Sequence, residues 1–208
     1  MNRIVEAPSL FAIGHVSIGY LTGKASARIL NVQVNLPLLL TAAVIPDIDL
    51  LLRFLRHRGP THSLIAIIAL TGPFLIGYRK TAVPYAIALA SHALIGDFFT
   101  GGAQLFWPLS TEWYGALNID VTSLTNALLE LGLFVVAIAA MFKTGDLRKI
   151  AKAKYKLTLL VPLGAVLGPM LAAAIGSEYT LPPLLLIPSL FYLAVFTHSL
   201  FADTWRKR

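Results

Sequence analysis

The stretch LTNALLELGLFVVAIAAMF (residues 124–142) decides the fold class, because it is a continuous apolar run long enough to cross a membrane. A transmembrane helix needs about 20 predominantly apolar residues. Two runs of similar length follow it, LTLLVPLGAVLGPMLAAAI (157–175) and LPPLLLIPSLFYLAVFTHSLFA (181–202). The second half of the chain therefore predicts three helical membrane spans.

The composition of the whole chain supports this interpretation. Of the 208 residues, 57% are hydrophobic and 13% are charged, whereas a soluble domain carries roughly 25% charged residues. The length leaves room for about six or seven spans of about 20 residues each. We therefore predict an all-α, polytopic membrane protein. It forms a single membrane domain (residues 1–208) with about six or seven membrane-embedded helices, some of them broken by Pro or Gly.

The formal net charge of +7 would also suit a nucleic-acid-binding protein, but the basic residues are placed differently. Six of them lie within residues 143–156, and Arg206, Lys207 and Arg208 end the chain, whereas residues 100–123 contain no Lys or Arg. Basic loops of membrane proteins stay in the cytoplasm. We therefore predict a multi-pass protein of the inner (plasma) membrane, with residues 143–156 and the C-terminus cytoplasmic. Membrane lipids are its expected partners, and nucleic acid is not.

The apolar segments of the first half differ from the later spans because they carry ionisable residues. These residues are His15, Asp47, Asp49, His62, His92 and Asp97. Ionisable groups are expensive inside a bilayer and usually mark function. The orientation set by the basic loops brings most of these groups to the outer face. Three arginines that break the charge rule, Arg53, Arg56 and Arg58, lie there too.

The residue types favour a metal site. The chain has no cysteine, so a site must use imidazole, carboxylate and water. Such ligands suit a divalent ion, Zn²⁺ in the first place, with Mn²⁺ or Mg²⁺ as alternatives. The predicted ligands are His15, Asp47, His57, His62, His92 and Asp97. Asp47 and Asp49 are two residues apart and share a regular helix face poorly, so we expect one to be a ligand and the other to orient ligands. A purely structural polar network is the alternative.

The segment HRGPTHSL (57–64) adds features that suit an anion. Gly59-Pro60-Thr61 predicts a turn followed by a helix start, with Thr61 or Gly59 as the N-cap. Free N–H groups at a helix start attract anions, and Arg58 offers a planar fork that matches phosphate. We therefore predict catalytic roles for Arg58, Asp49 and Thr61, with pairing of Arg58 to a carboxylate as the structural alternative.

Several motifs together resemble the YdjM family of inner-membrane proteins. They are His15 with Gly19, Pro46-Asp47-Ile48-Asp49, His57 to Leu64, and Ser91-His92 through Asp97-Phe98-Phe99-Thr100 to Trp107-Pro108. The resemblance covers roughly residues 10–110, so that residues 111–208 are expected to be a helical scaffold. It implies a metal-dependent hydrolase. His92 and Asp97 are five residues apart, where the family pattern has four. Residues five apart do not share an α-helix face unless a π-bulge intervenes.

These observations predict a membrane-embedded hydrolase that uses metal-activated water on a phosphoester, such as that of a phospholipid, near the outer face. A metal or ion transporter is the alternative. It would need alternating access and often has internal repeats, and the sequence shows no convincing repeat. A non-catalytic metal-binding or scaffold protein is the third hypothesis. The sequence names neither the substrate nor the oligomeric state.

Overall fold

The computed structural model describes residues 10–51, 54–117, 119–174 and 181–205. Arg53 and the terminal Arg206, Lys207 and Arg208 lie outside the described residues. The described part is helical and contains no β-strand, so the predicted all-α class is confirmed. Its α-helices are α1 (Ala12–Ile29), α2 (Leu36–Val44), α3 (Leu64–Tyr78), α4 (Val83–Ser91), α5 (Phe98–Thr100), α6 (Leu124–Thr144), α7 (Asp146–Lys152), α8 (Leu160–Ala174) and α9 (Leu186–Trp205).

Four helical stretches of the described residues are long and apolar enough to cross a membrane. They are Leu64–Thr81, Val83–Thr100, Leu124–Thr144 and Pro183–Ala202. This number is lower than the six or seven spans that we predicted from the sequence. The stretch Val83–Thr100 reaches its length because α4 and α5 are joined by a π-helix, His92–Asp97.

Three of the apolar segments that we counted as spans are not among these four stretches. They are residues 4–21, 36–52 and 157–175. Helix α2 has nine residues, because the chain turns into a 3-10 helix at Ile45–Leu51, where Pro46 cannot donate an α-helical hydrogen bond. Helix α8 has 15 residues. Helix α1 has 18 residues, but His15, Lys24 and Arg28 reduce its apolar character.

Helix α1 lies at the centre of the molecule and packs against α2, α4 and α6. Its contact with α2 is close at Gly19, where an added Cβ would overlap the side chain of Ala43. Small residues allow membrane helices to approach in this way. His15 lies one turn before Gly19, and Asp47 lies four residues after Ala43. The antiparallel packing of α1 and α2 therefore brings these two residues to the same end of the bundle.

Candidate metal centre

The predicted ligands come together at one end of the helix bundle, although they come from four separate parts of the chain. Four of them, His15, His62, His92 and Asp97, are almost completely buried. The side chains of Asp47 and His57 are 14% and 16% exposed. The centre is therefore reached from outside through these two residues.

The π-helix His92–Asp97 explains how two residues five apart serve the same centre. In an α-helix, with 3.6 residues per turn, a spacing of five points the side chains apart. A π-helix has i to i+5 hydrogen bonds and often occurs at functional sites. It places His92 Nε2 3.6 Å from Asp97 Oδ2. A π-bulge was the condition under which the sequence allowed these two residues to share a face, and the π-helix meets that condition.

Five of the six separations among four candidate ligand atoms are close to those of a tetrahedral zinc centre. The four atoms are His62 Nε2, His92 Nε2, Asp47 Oδ1 and Asp97 Oδ2. His62 Nε2 lies 3.1 Å from His92 Nε2, 3.5 Å from Asp47 Oδ1 and 3.4 Å from Asp97 Oδ2. His92 Nε2 lies 3.2 Å from Asp47 Oδ1 and 3.6 Å from Asp97 Oδ2. Ligands about 2.0–2.1 Å from a tetrahedral Zn²⁺ stand about 3.3–3.4 Å from one another, so these residues fit such an ion.

The hydrogen bonds of both imidazoles leave Nε2 as the metal-binding atom. His92 Nδ1 lies 2.8 Å from the carbonyl oxygen of Ala43, which only accepts, so Nδ1 carries the proton. The Thr61 hydroxyl donates to Asp49 Oδ2 at 2.7 Å and lies 2.9 Å from His62 Nδ1. It therefore accepts the Nδ1 proton of His62. Two Nε2 lone pairs that face each other repel unless a positive charge lies between them.

The carboxylates around His62 also favour a positive charge next to its Nε2 atom. Burial works to lower the pKa of His62, but hydrogen bonds to Asp47 and Asp49 outweigh it and raise this pKa to about 10. Without a metal, the carboxylates therefore hold a proton on this imidazole. A divalent ion would displace that proton, because metal ligands must be deprotonated.

Asp49 does not contribute an atom to the four-atom site, and it contacts the residues around it. The backbone here is the 3-10 helix Ile45–Leu51, and the carboxylates of Asp47 and Asp49 have different partners. Asp49 Oδ1 lies 2.9 Å from His57 Nδ1, and Oδ2 accepts from the Arg58 backbone N–H at 3.2 Å. Burial works to raise the pKa of Asp49, but hydrogen bonds to His57 and His62 keep it well below its usual range. An ionised carboxylate behind a ligating imidazole is typical of metal sites.

His57 and His15 lie on opposite sides of the four-atom site. His57 is hydrogen-bonded to Asp49, and its ring meets His62 edge-on. His15 stacks on His92 with ring centroids 3.7 Å apart, and its Nε2 lies 3.7 Å from Asp97 Oδ1. Each belongs to a further trio of possible ligands, His15 with His92 and Asp97, and His57 with Asp49 and His62.

The contacts of Arg58 bear on whether a second metal ion could bind beside His15. Its side chain is 1% exposed, Nε lies 3.4 Å from Asp97 Oδ1, and Nη1 donates to the carbonyl oxygen of Gly102 at 3.3 Å. Asp97 therefore turns Oδ2 toward the four-atom site and Oδ1 toward His15 and Arg58. A guanidinium beside Oδ1 repels a second cation there. A metal ion, if bound, would therefore lie in the four-atom site and not beside Oδ1.

The predicted helix start in 57–64 is corrected by the structure. Pro60–His62 is a 3-10 turn, and α3 begins at Leu64 with Ser63 as its N-cap, its hydroxyl accepting from Ala66 N–H. The expected caps were Thr61 or Gly59. Thr61 does not cap α3 because its hydroxyl is engaged by Asp49 and His62.

One buried residue near the centre was missed by the sequence interpretation. Glu130 of α6 is fully buried and accepts hydrogen bonds from Phe11 N–H at 2.7 Å, Gly14 N–H at 3.0 Å and Asn126 Nδ2 at 2.8 Å. Its carboxylate thus caps the N-terminus of α1, whose own N-cap residue, Phe11, offers no side-chain oxygen. Because His15 follows Gly14, Glu130 fixes its position. An acidic residue inside span 124–142 was the available signal.

Comparison with known proteins extends the resemblance seen in the motifs. The model of the family described as YdjM inner membrane protein matches residues 11–168, which include all of the centre and also α6, with Glu130. Searches of curated proteins and of solved structures gave no match. The family match covers most of the chain, so this protein belongs to the YdjM inner membrane protein family.

Proposed function

We propose that this protein is a metal-dependent hydrolase of a phosphoester, such as that of a phospholipid. The observation that carries the proposal is the four-atom site, built from two imidazoles and two carboxylates. A zinc ion with four protein ligands is usually structural, so metal-activated water requires this site to expand to five-coordination or one carboxylate to give up its position. Here Asp47 keeps 14% of its side chain exposed, which gives a substrate one side from which to approach.

The roles proposed for the chain follow from the contacts. His62, His92, Asp47 and Asp97 hold the ion, and Zn²⁺ suits this mixed tetrahedral set better than Mg²⁺ or Mn²⁺, which favour six oxygen ligands. When bound, the ion lowers the pKa of water and stabilises negative charge on a phosphoester oxygen. Asp49 and Thr61 keep the His62 proton on Nδ1. His57, whose side chain is 16% exposed beside Asp49, would exchange a proton with substrate or leaving group.

The function is tested with detergent-purified protein loaded with Zn²⁺. We expect slow hydrolysis of bis-p-nitrophenyl phosphate and faster hydrolysis of a phospholipid in mixed micelles, both stopped by a chelator and restored by Zn²⁺. The variant Asp47→Asn should lose at least about 100-fold in kcat/KM. Asp120→Asn is the control, because Asp120 is exposed in the loop before α6, and it should keep full activity. A stoichiometric Zn²⁺ protein that hydrolyses no phosphoester would contradict the proposal.

We also propose that the centre faces the outer side of the membrane. At the other end of the bundle, Lys24 Nζ and Lys149 Nζ each lie 2.8 Å from Asp146, so the basic segment 143–156 is away from the centre. Basic segments stay cytoplasmic. In intact cells, an impermeant thiol reagent should label Glu112→Cys and should spare Lys152→Cys. The opposite labelling would reverse the orientation.

A further inference from the structure

A small apolar cavity of about 200 Å³ lies directly beside the metal centre. It is enclosed by the 3-10 segment Ile45–Leu51, the start of α3 and the end of α4. Its walls include Pro46, Ile48, Thr61, Ile67, Leu70 and Leu89. Apart from the Thr61 hydroxyl, these side chains are apolar, so the cavity suits a hydrocarbon and offers little to a soluble polar molecule.

None of the four assigned ligands lines the cavity, but three of its wall residues are neighbours of ligands in the chain. Pro46 and Ile48 flank Asp47 in the chain, and Thr61 precedes His62. Asp47 is the most exposed of the four assigned ligands. A molecule whose apolar part fills the cavity therefore has its polar part next to the accessible side of the centre.

The outer end of the cavity opens on a surface that faces lipid. Leu70 is 52% exposed and Ile48 is 42% exposed. Of the 18 residues Leu64–Thr81, only 6% are buried, although this stretch is apolar enough to span a membrane. Such a helix places nearly its whole surface in hydrocarbon. The cavity is therefore continuous with the region that acyl chains occupy.

We infer that this cavity is an acyl-chain subsite and that a membrane lipid with a phosphoester headgroup enters it sideways from the bilayer. The inference rests on the proposed hydrolase function and names its substrate class. An acyl chain is already in an apolar medium in the bilayer, so the subsite adds little to affinity. Its effect is to hold the chain in one place and to direct the headgroup toward Asp47.

Two tryptophan substitutions on α3 test the inference. Leu70→Trp fills the rim of the cavity, and Ile68→Trp adds the same ring to the neighbouring exposed surface, where Ile68 is 67% exposed. We expect Leu70→Trp to lower kcat/KM for a long-chain phospholipid at least tenfold relative to bis-p-nitrophenyl phosphate, with metal content unchanged. Ile68→Trp should leave this ratio unchanged. Equal ratios in the two variants would overturn the inference.

A second measurement does not depend on hydrolysis. Vesicles of phosphatidylglycerol with a photoreactive acyl chain are irradiated with the reconstituted protein, and labelled residues are mapped by mass spectrometry. Leu89 lines the cavity but is only 3% exposed, so bulk lipid does not reach it. We expect label on Leu89 in the unmodified protein and its loss in Leu70→Trp. Label on Ile68 without label on Leu89 would overturn the subsite, whether or not the protein hydrolyses any phosphoester.

Discussion

Replacing His92 with alanine is expected to remove metal binding almost completely. His92 Nε2 lies 3.1 Å from His62 Nε2 and 3.2 Å from Asp47 Oδ1, so it supplies one corner of the tetrahedral site. Loss of an outer-sphere partner typically costs 10–100-fold in metal affinity, and loss of a direct ligand should cost at least about 100-fold. Metal analysis and competition with a zinc chelator on detergent-purified protein measure the effect.

His57→Ala is the matched control for His92→Ala. His57 is an imidazole of the same cluster, but its Nδ1 is bound to Asp49 and it lies outside the four-atom site. We expect this variant to keep one Zn²⁺ per chain with an affinity reduced by no more than about tenfold. If His57→Ala lost the metal as completely as His92→Ala, the ion would belong to the trio of Asp49, His57 and His62. Two ions per chain in the unmodified protein would contradict the role assigned to Arg58.

The sequence predicted which side chains would gather, because ionisable residues in apolar segments are few and the charge rule predicted a common membrane face for them. The motifs near Asp47, His62 and His92 each mark one part of the centre. The sequence did not reveal which of these side chains are suited to bind an ion directly and which orient the others. These roles depend on small differences in the distances between side-chain atoms. They also depend on the local backbone conformation. Asp47 and Asp49 lie in a 3-10 helix, and a π-helix turns Asp97 toward His92.

The number of spans was overestimated because apolar composition does not report helix length. Residues 36–52 are apolar enough for a span, but Pro46 changes the helix type after nine residues. The predicted division into a site half (10–110) and a scaffold half (111–208) is not strict. Glu130 of α6, in the scaffold half, caps the N-terminus of α1. An acidic residue inside the apolar run was a signal of this cap, but its partner left none, since the backbone N–H groups that donate belong to any residue type.

Arg58→Lys is expected to weaken the fold and the metal site together. The guanidinium is buried, and it joins Asp97 Oδ1 to the carbonyl oxygen of Gly102. Lysine keeps the charge, but its single ammonium group does not reproduce the planar fork. We expect a loss of about 1.5–3 kcal/mol in the free energy of unfolding, the size of one hydrogen bond to a charged group. Arg58→Ala should lose about 3–5 kcal/mol, because it removes the guanidinium from a buried ion pair with Asp97.

The outcome of Arg58→Lys separates two roles for this arginine. If it grips substrate phosphate, as the motif alone indicated, the variant should stay as stable as the unmodified protein, keep its metal and lose hydrolysis. If it acts through Asp97, thermal stability and zinc affinity should fall together, and Arg56→Lys should show neither effect. The positive φ of 59° at Arg58 favours the second role. A backbone conformation that is costly for a non-glycine residue is kept where surrounding contacts hold it. Here those contacts include the ion pair with Asp97 and the hydrogen bond to the Gly102 carbonyl oxygen.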